Sequence, residues 1–336
     1  MINTGASWLE VAMSHPRKIV YPDAEESIAE LFTGERLARL ERLGEFTAYY
    51  GDPPSTEGFI ERIGNANAII SGWGLNNDVL QAVKELEVVS FAGLGASTFF
   101  DLDETTRQGI TVTHTTSVAG TIAEHTMALM LAAARHIARL DQDTRNGRWN
   151  VELLGFDLRG KTLGLIGFGR IAEAVVPLAK AFGMHVIAWT RNPSDERAVR
   201  NGIEFCDLDD LLMKSDVLSL HPLLTSETEG LITSERLHKT KPGVVVVNTA
   251  RAQILDEPAF LKLLTSGHIA AAGVDVFMEE PLPPDHPYTK LDNVVLTPHV
   301  AFNTLEANAE MFDITIDNLE AFFAGKPQNV ATPPPS

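Results

Sequence analysis

The chain has 336 residues, 44% of them hydrophobic, which is enough to bury a large core and more than one core usually holds, so two domains are expected. Its 45 Asp and Glu outnumber 27 Lys and Arg, and a formal net charge of -18 sets the surface against phosphate backbones and anionic lipid. Neither nucleic acid nor membrane is an expected partner, and a site for a small anion must be built from a few placed cations or backbone amides.

The first twenty residues are interrupted by Asn3, Glu10, His15, Pro16 and Arg17 and hold no apolar stretch suited to a signal peptide, so secretion is not expected. The segment before Pro16 reads as an unstructured extension. Short β-branched or aromatic runs predict strands at Lys18–Tyr21, Phe46–Tyr50, Ala68–Ser71, Val88–Phe91 and Thr111–His114, separated by helices such as Ala24–Leu40. A long helical stretch, Thr121–Arg145, follows and is expected to bridge two sheets; its most apolar part, Met127–Ala134, is far short of the ~20 residues a bilayer needs. A second series of strands is predicted at Thr162–Ile166, Val186–Thr190, Val217–His221, Val244–Asn248, Gly273–Val276 and Val294–Thr297. Cys206 is the only cysteine, which excludes an intramolecular disulfide and makes a reducing cytoplasm the expected location. The helical period returns through Leu305, Phe312, Ile316, Leu319 and Phe323, with Gly325 as a stop and no strand after it. A terminal helix without a sheet of its own is expected to return to the first domain, and Ala331–Ser336, with three prolines, reads as an unstructured tail. Strands alternating with helices imply parallel sheets covered on both faces.

The strand Thr162–Ile166 runs into Gly167-Phe168-Gly169-Arg170-Ile171-Ala172 and then a helical period, the context a dinucleotide fingerprint requires. Gly167 permits the tight turn, Gly169 lets backbone approach a pyrophosphate, and Ala172 lets helix and strand pack. The helix start offers unpaired N–H groups and the positive end of its dipole to the phosphates. The second strand, however, ends Trp189-Thr190-Arg191-Asn192, without the Asp or Glu that usually binds the ribose hydroxyls of NAD. Arg191 is suited to the 2′-phosphate of NADP, so the expected cofactor is NADP or NAD, with NADP favoured.

Three later segments place a polar group at the carboxyl end of an apolar strand, where open α/β sheets bind ligands. They are Val244–Arg251, which contains Asn248 and Thr249; Gly273–Pro281, which contains Asp275 and Glu280; and Val294–His299. Together they supply a guanidinium, carboxylates and an imidazole. No metal site is expected.

In the order of these motifs, from about Ala68 to Phe323, the chain resembles the D-2-hydroxyacid dehydrogenase family, which includes phosphoglycerate, glycerate, hydroxypyruvate and formate dehydrogenases. The resemblance implies an α/β fold of two Rossmann-like doubly wound domains with a cleft between them. Residues 1–117 and 302–336 would form a discontinuous substrate-binding domain and 118–301 the NAD(P)-binding domain. Arg251 matches the arginine that holds the substrate carboxylate and polarises its C2 carbonyl, a task for a planar fork of donors. His299 matches the acid/base, and Glu280, directly before Pro281, its carboxylate partner; a negative neighbour favours imidazolium. Asp275 matches the residue that binds the nicotinamide carboxamide, and Thr121, His221 and Thr249 complete the implied cofactor set. The loop Phe91–Ser97 would grip the substrate carboxylate through backbone amides at Leu94, Gly95 and Ala96, although it looks one residue longer than usual and lacks the Asp-Asn pair. Trp73 stands where phosphoglycerate enzymes carry an arginine for phosphate, which argues against a phosphorylated substrate. Ala252 replaces the usual glycine after Arg251. Glu124 and His125 are expected to be structural.

The function implied is hydride transfer between nicotinamide C4 and C2 of a small 2-oxo or 2-hydroxy acid, by a homodimer joined through its coenzyme domains. The alternative is an NAD(H)-sensing, corepressor-like binding protein of the same fold.

Overall fold

The computed structural model describes residues 16–51 and 53–332. The expectations for the segment before Pro16 and for the end of the proline-rich tail lie outside the described residues. Contacts divide the chain into two compact units, one ending at Ser117 and resuming at Leu305, the other spanning Val118–Thr304.

In the first unit, β1 (Lys18–Ala24), β2 (Glu45–Tyr50), β3 (Ala68–Ser71), β4 (Val88–Phe91) and β5 (Thr111–His114) form a parallel sheet in the order 2-1-3-4-5. The predicted helix Ala24–Leu40 is instead the end of β1, a 3-10 segment at Glu26–Phe32 and an α-helix at Gly34–Leu43. The helix Leu305–Phe323 packs on β4 and β5: Ser90 Oγ donates to Thr315 O at 3.0 Å, and Asn318 Nδ2 donates to His114 O at 3.2 Å. Arg36 and Arg39 hold it from the other side through Asp313 and Glu320, at 2.7 and 2.9 Å. Beyond the helix, Val330 makes an antiparallel bridge to Thr113, and Ala331 N–H bonds to Val112 O at 2.8 Å. Among the described residues no strand follows Gly325, as expected, but the tail expected to be unstructured from Ala331 begins on the sheet: the edge of β5 presents backbone groups that need partners, and Val330 and Ala331 supply them.

In the second unit, β6 (Thr162–Ile166), β7 (His185–Trp189), β8 (Glu204–Phe205), β9 (Val217–Leu220), β10 (Val244–Asn248), β11 (Ile269–Val274) and β12 (Val294–Leu296) form a parallel sheet in the order 12-11-10-9-6-7-8. The two-residue β8 was not predicted, and β11 starts earlier than Gly273. Both faces are buried, so the strands alternate between cores: Val245 and Val247 join one, Val244 and Val246 the other. The order reverses between β6 and β9, a switch point where the turns after the two strands diverge to opposite faces.

The predicted helix Thr121–Arg145 is two helices, Ala119–Ala134 and Ile137–Arg145, both in the second unit, with His136 at φ 53° between them. The cause is tertiary. Phe156 N–H takes the carbonyl of Ala134 at 3.1 Å, and Gly155 lies so close that a Cβ on it would stand 2.5 Å from that oxygen. Among the described residues no helix is long and apolar enough to cross a membrane.

Candidate active site

The turn after β6 sits at the switch point. Gly167 has φ 83°, its N–H donates to Trp189 O at 2.9 Å, and a Cβ on it would lie 2.5 Å from Pro222 N, so only glycine fits between β7 and the chain leaving β9. Gly169 is the N-cap of the helix Arg170–Ala181, with no side-chain cap, and a Cβ there would meet nothing within 4 Å. A helix start with uncapped donors below open space suits a pyrophosphate, and the residues fit a bound dinucleotide through Gly167–Ile171. Ala172 is fully buried, whereas the ring of Phe168 packs into the core against Phe205 at 5.2 Å, leaving backbone as its contribution to the turn. Thr190 follows β7 directly, and Arg191 beside it forms an ion pair with Glu227.

His221 follows β9, with Nε2 2.8 Å from Ser219 Oγ; the residue keeps partial exposure, but its imidazole is enclosed, and burial pushes its pKa down to about 4, so the ring is neutral at pH 7. Thr249 is buried with its hydroxyl 3.0 Å from that of Thr126, and Thr121 lies in the first turn of the helix Ala119–Ala134.

Arg251 stands just past the end of β10, on a bend held by Asn248. The amide of Asn248 accepts from Ala250 N–H and donates to Arg251 O, each at 3.0 Å. Burial lowers the pKa of Arg251 and the charge of Glu280 opposes that, so the guanidinium stays charged. Ala252 opens a 3-10 turn, Ala252–Ile254, and is not among the residues with positive φ, so the glycine expected there is not required.

Glu280, not the neighbouring Glu279, meets His299: Nδ1 of the imidazole is 2.7 Å from Oε2 of Glu280, whose Oε1 accepts from Phe277 N–H at 2.9 Å. Burial raises the pKa of Glu280, but the His299 hydrogen bond, the Phe277 N–H and the charges of His299 and Arg251 outweigh it and hold the carboxyl below its ordinary range. His299 itself has φ 54°, a left-handed conformation that histidine tolerates better than most side chains but that needs support. Asp275 provides it. Its carbonyl accepts from His299 N–H at 2.8 Å, and its fully buried carboxylate accepts from Thr297 Oγ1 at 2.5 Å and from the N–H groups of Val300 and Ala301, each at 3.0 Å. The carboxylate expected to bind nicotinamide thus also holds the loop that carries the imidazole. His125, from the helix Ala119–Ala134, adds Nε2 at 3.0 Å from Thr297 Oγ1. Arg251, Glu280 and His299 all belong to the second unit.

In the first unit, the loop after β4 is built on Gly95, which is left-handed at φ 73° and opens the 3-10 turn Ala96–Thr98. Among the described residues no hydrogen bond takes the N–H groups of Leu94, Gly95 or Ala96, three donors in succession of the kind that receive a carboxylate. Trp73 follows β3 and is 44% exposed.

Sequence reading missed three contributors. Arg197 donates to Phe168 O and stacks 5.3 Å from that ring, bracing the fingerprint turn from the helix Asp195–Asn201. The braces supplied by Asn248 and Glu227 were also missed. Only Asn248 left a trace, as a polar residue ending a run of four valines.

Comparison with known proteins bears on the family and the fold. Residues 127–301 match the family described as D-isomer specific 2-hydroxyacid dehydrogenase, NAD binding domain. A glyoxylate reductase from Korarchaeum cryptofilum is 39% identical over 82% of this chain and 85% of its own length. A D-3-phosphoglycerate dehydrogenase from Archaeoglobus fulgidus is 40% identical over 84% of this chain but 54% of its own. Among solved structures, an NADPH-dependent glyoxylate/hydroxypyruvate reductase from Sinorhizobium meliloti, in complex with NADP and malonate, superposes with a TM-score of 0.81 at 28% identity, covering 94% of this chain and 96% of that one. Similarity of this extent, over a fingerprint turn fit for a dinucleotide, leads to one conclusion: the chain belongs to the D-isomer specific 2-hydroxyacid dehydrogenase family and is an oxidoreductase that acts on the CH–OH group of its donor with NAD or NADP.

Proposed function

We propose that this protein reduces a small, unphosphorylated 2-oxo acid of the glyoxylate or hydroxypyruvate type to the D-2-hydroxy acid, with NADPH favoured over NADH. The observation that carries the reading is the 2.7 Å pairing of His299 with Glu280, on a loop braced by Asp275 and in the same unit as Arg251. The nicotinamide, when bound, supplies the hydride to C2. Arg251 holds the carboxylate and polarises the carbonyl. With Nδ1 turned to Glu280, His299 delivers through Nε2 the proton that the developing alkoxide needs, and in the reverse direction it takes the hydroxyl proton. Glu280 orients the ring and stabilises the imidazolium. Asp275 acts through the loop, and His221, neutral at pH 7, adds no charge beside the cofactor turn. Arg191 favours a 2′-phosphate, and the tryptophan at position 73 offers no cation to a substrate phosphate.

The same reading takes the protein to be cytoplasmic and homodimeric. The segment after the helix Ile137–Arg145 supports assembly: Trp149 is 84% exposed, beside exposed Val151 and Leu154, yet its neighbours Arg148 and Asn150 are bonded to the buried Asp143. An apolar surface held in place is what an interface presents.

The experiment is a panel of glyoxylate, hydroxypyruvate, pyruvate and phosphohydroxypyruvate, each with NADPH and with NADH, followed by loss of reduced-nicotinamide absorbance. Turnover of the small acids, with phosphohydroxypyruvate poorest, is expected. Silence across the panel while both cofactors bind would favour the sensing alternative.

A further inference from the structure

The end of β7 is unusual for a site that must hold an adenosine ribose. It offers Thr190, Arg191 and Asn192 and no acid. A carboxylate is nevertheless present, because the guanidinium of Arg191 is ion-paired with Glu227, 36 positions along the chain, in the loop between β9 and the helix Ser234–His238. The backbone that carries Glu227 is fixed. Its N–H donates to Thr225 Oγ1 at 3.3 Å, and the hydroxyl of the buried Thr228 accepts from Thr225 N–H at 2.8 Å while donating to Leu223 O at 2.6 Å. Both members of the pair remain open to solvent, with side chains 50% and 64% exposed, so the contact can be exchanged for one with a ligand. The neighbouring arginines have other partners, Arg197 at the fingerprint turn and with Glu173, and Arg200 with Glu173.

We propose that Glu227, reaching Arg191 from the β9 loop, competes with a cofactor phosphate for that guanidinium, and that this pairing sets the choice between NADP and NAD. This rests on the reading of Arg191 as the residue at the adenosine ribose. A 2′-phosphate is the stronger partner for a guanidinium, since it brings two charges and several acceptor oxygens, but it must displace Glu227 and tolerate its negative charge. An unphosphorylated ribose leaves the pair intact. Glu227 therefore holds back the preference for NADP that Arg191 would otherwise confer, and the protein accepts both cofactors.

The test is direct binding, by fluorescence titration of NADPH and NADH into the full-length wild-type protein and the variants Glu227→Gln and Arg191→Gln. An exposed ion pair changes an equilibrium constant by about fivefold at most. Glu227→Gln is therefore expected to tighten NADPH about fivefold and to change NADH less than twofold. Arg191→Gln should weaken NADPH by about tenfold or more and spare NADH. If Glu227→Gln leaves the ratio of the two dissociation constants unchanged while Arg191→Gln shifts it, the role of Glu227 is overturned and that of Arg191 stands. If Arg191→Gln leaves the ratio unchanged, the underlying reading of Arg191 fails and the proposal fails with it.

Discussion

His299 lies in a backbone conformation that costs energy, and three groups on one strand-end segment repay it: the carbonyl and carboxylate of Asp275, and Glu280. The depressed pKa of Glu280 gives this arrangement a pH signature. A carboxyl lowered in the folded state stabilises the pairing above its ordinary range, and that contribution is lost only as pH falls through the lowered value. The acid limb of kcat/KM for wild-type reduction is therefore expected below the ordinary carboxylate range. Glu280→Gln, which cannot carry the charge, should lower kcat by about 10- to 100-fold and remove that limb. Steady-state profiles of both proteins check this, and a wild-type limb within the ordinary carboxylate range, retained in the variant, would contradict it. The placement of Arg251, Glu280 and His299 beyond strand ends, and the pairing of Glu280 with His299, were legible because each ends or closely follows an apolar run. The hold of Asp275 on the His299 loop was not, since nothing in sequence says which backbone N–H groups a buried acid will meet.

Elements were legible where local chemistry decides them. β3, β4, β5, β6 and β10 have the predicted bounds, because each is a short apolar or β-branched run that ends where turn or loop chemistry begins. β11 was misplaced because Ile269-Ala270-Ala271-Ala272 carries helical as well as strand preference, and β8 is too short to show a period. The break at His136 depends on Gly155 and Phe156, some twenty residues away, and no local pattern announces it. That packing anchors the segment that bears Trp149. If this segment joins two copies, Trp149→Glu should weaken the dimer by about 30-fold or more, as loss of a central aromatic contact does. Sedimentation across a micromolar concentration series, with circular dichroism to verify folding, measures it; an unchanged mass distribution would remove the segment from the interface.

At the scale of the molecule, a net charge of -18 works against anionic ligands, and the proposed function needs that offset locally, by Arg251 for the substrate and by Arg191 and the donors at the start of the helix Arg170–Ala181 for the cofactor. This was legible in outline, since a chain so acidic can bind an anionic substrate only through placed cations and amides. The braces that keep those groups in position were not, because Arg197 to Phe168 and Arg191 to Glu227 join segments that only the folded sheet brings together. The account depends above all on His299 as the proton donor in reduction. The most direct measurement is kcat for the best 2-oxo acid of the panel, in wild type and His299→Gln, alongside the dissociation constant for NADPH. The expected result is a fall in kcat of roughly 10²- to 10⁴-fold with cofactor affinity within about twofold; a variant that turns over at the wild-type rate would contradict the account.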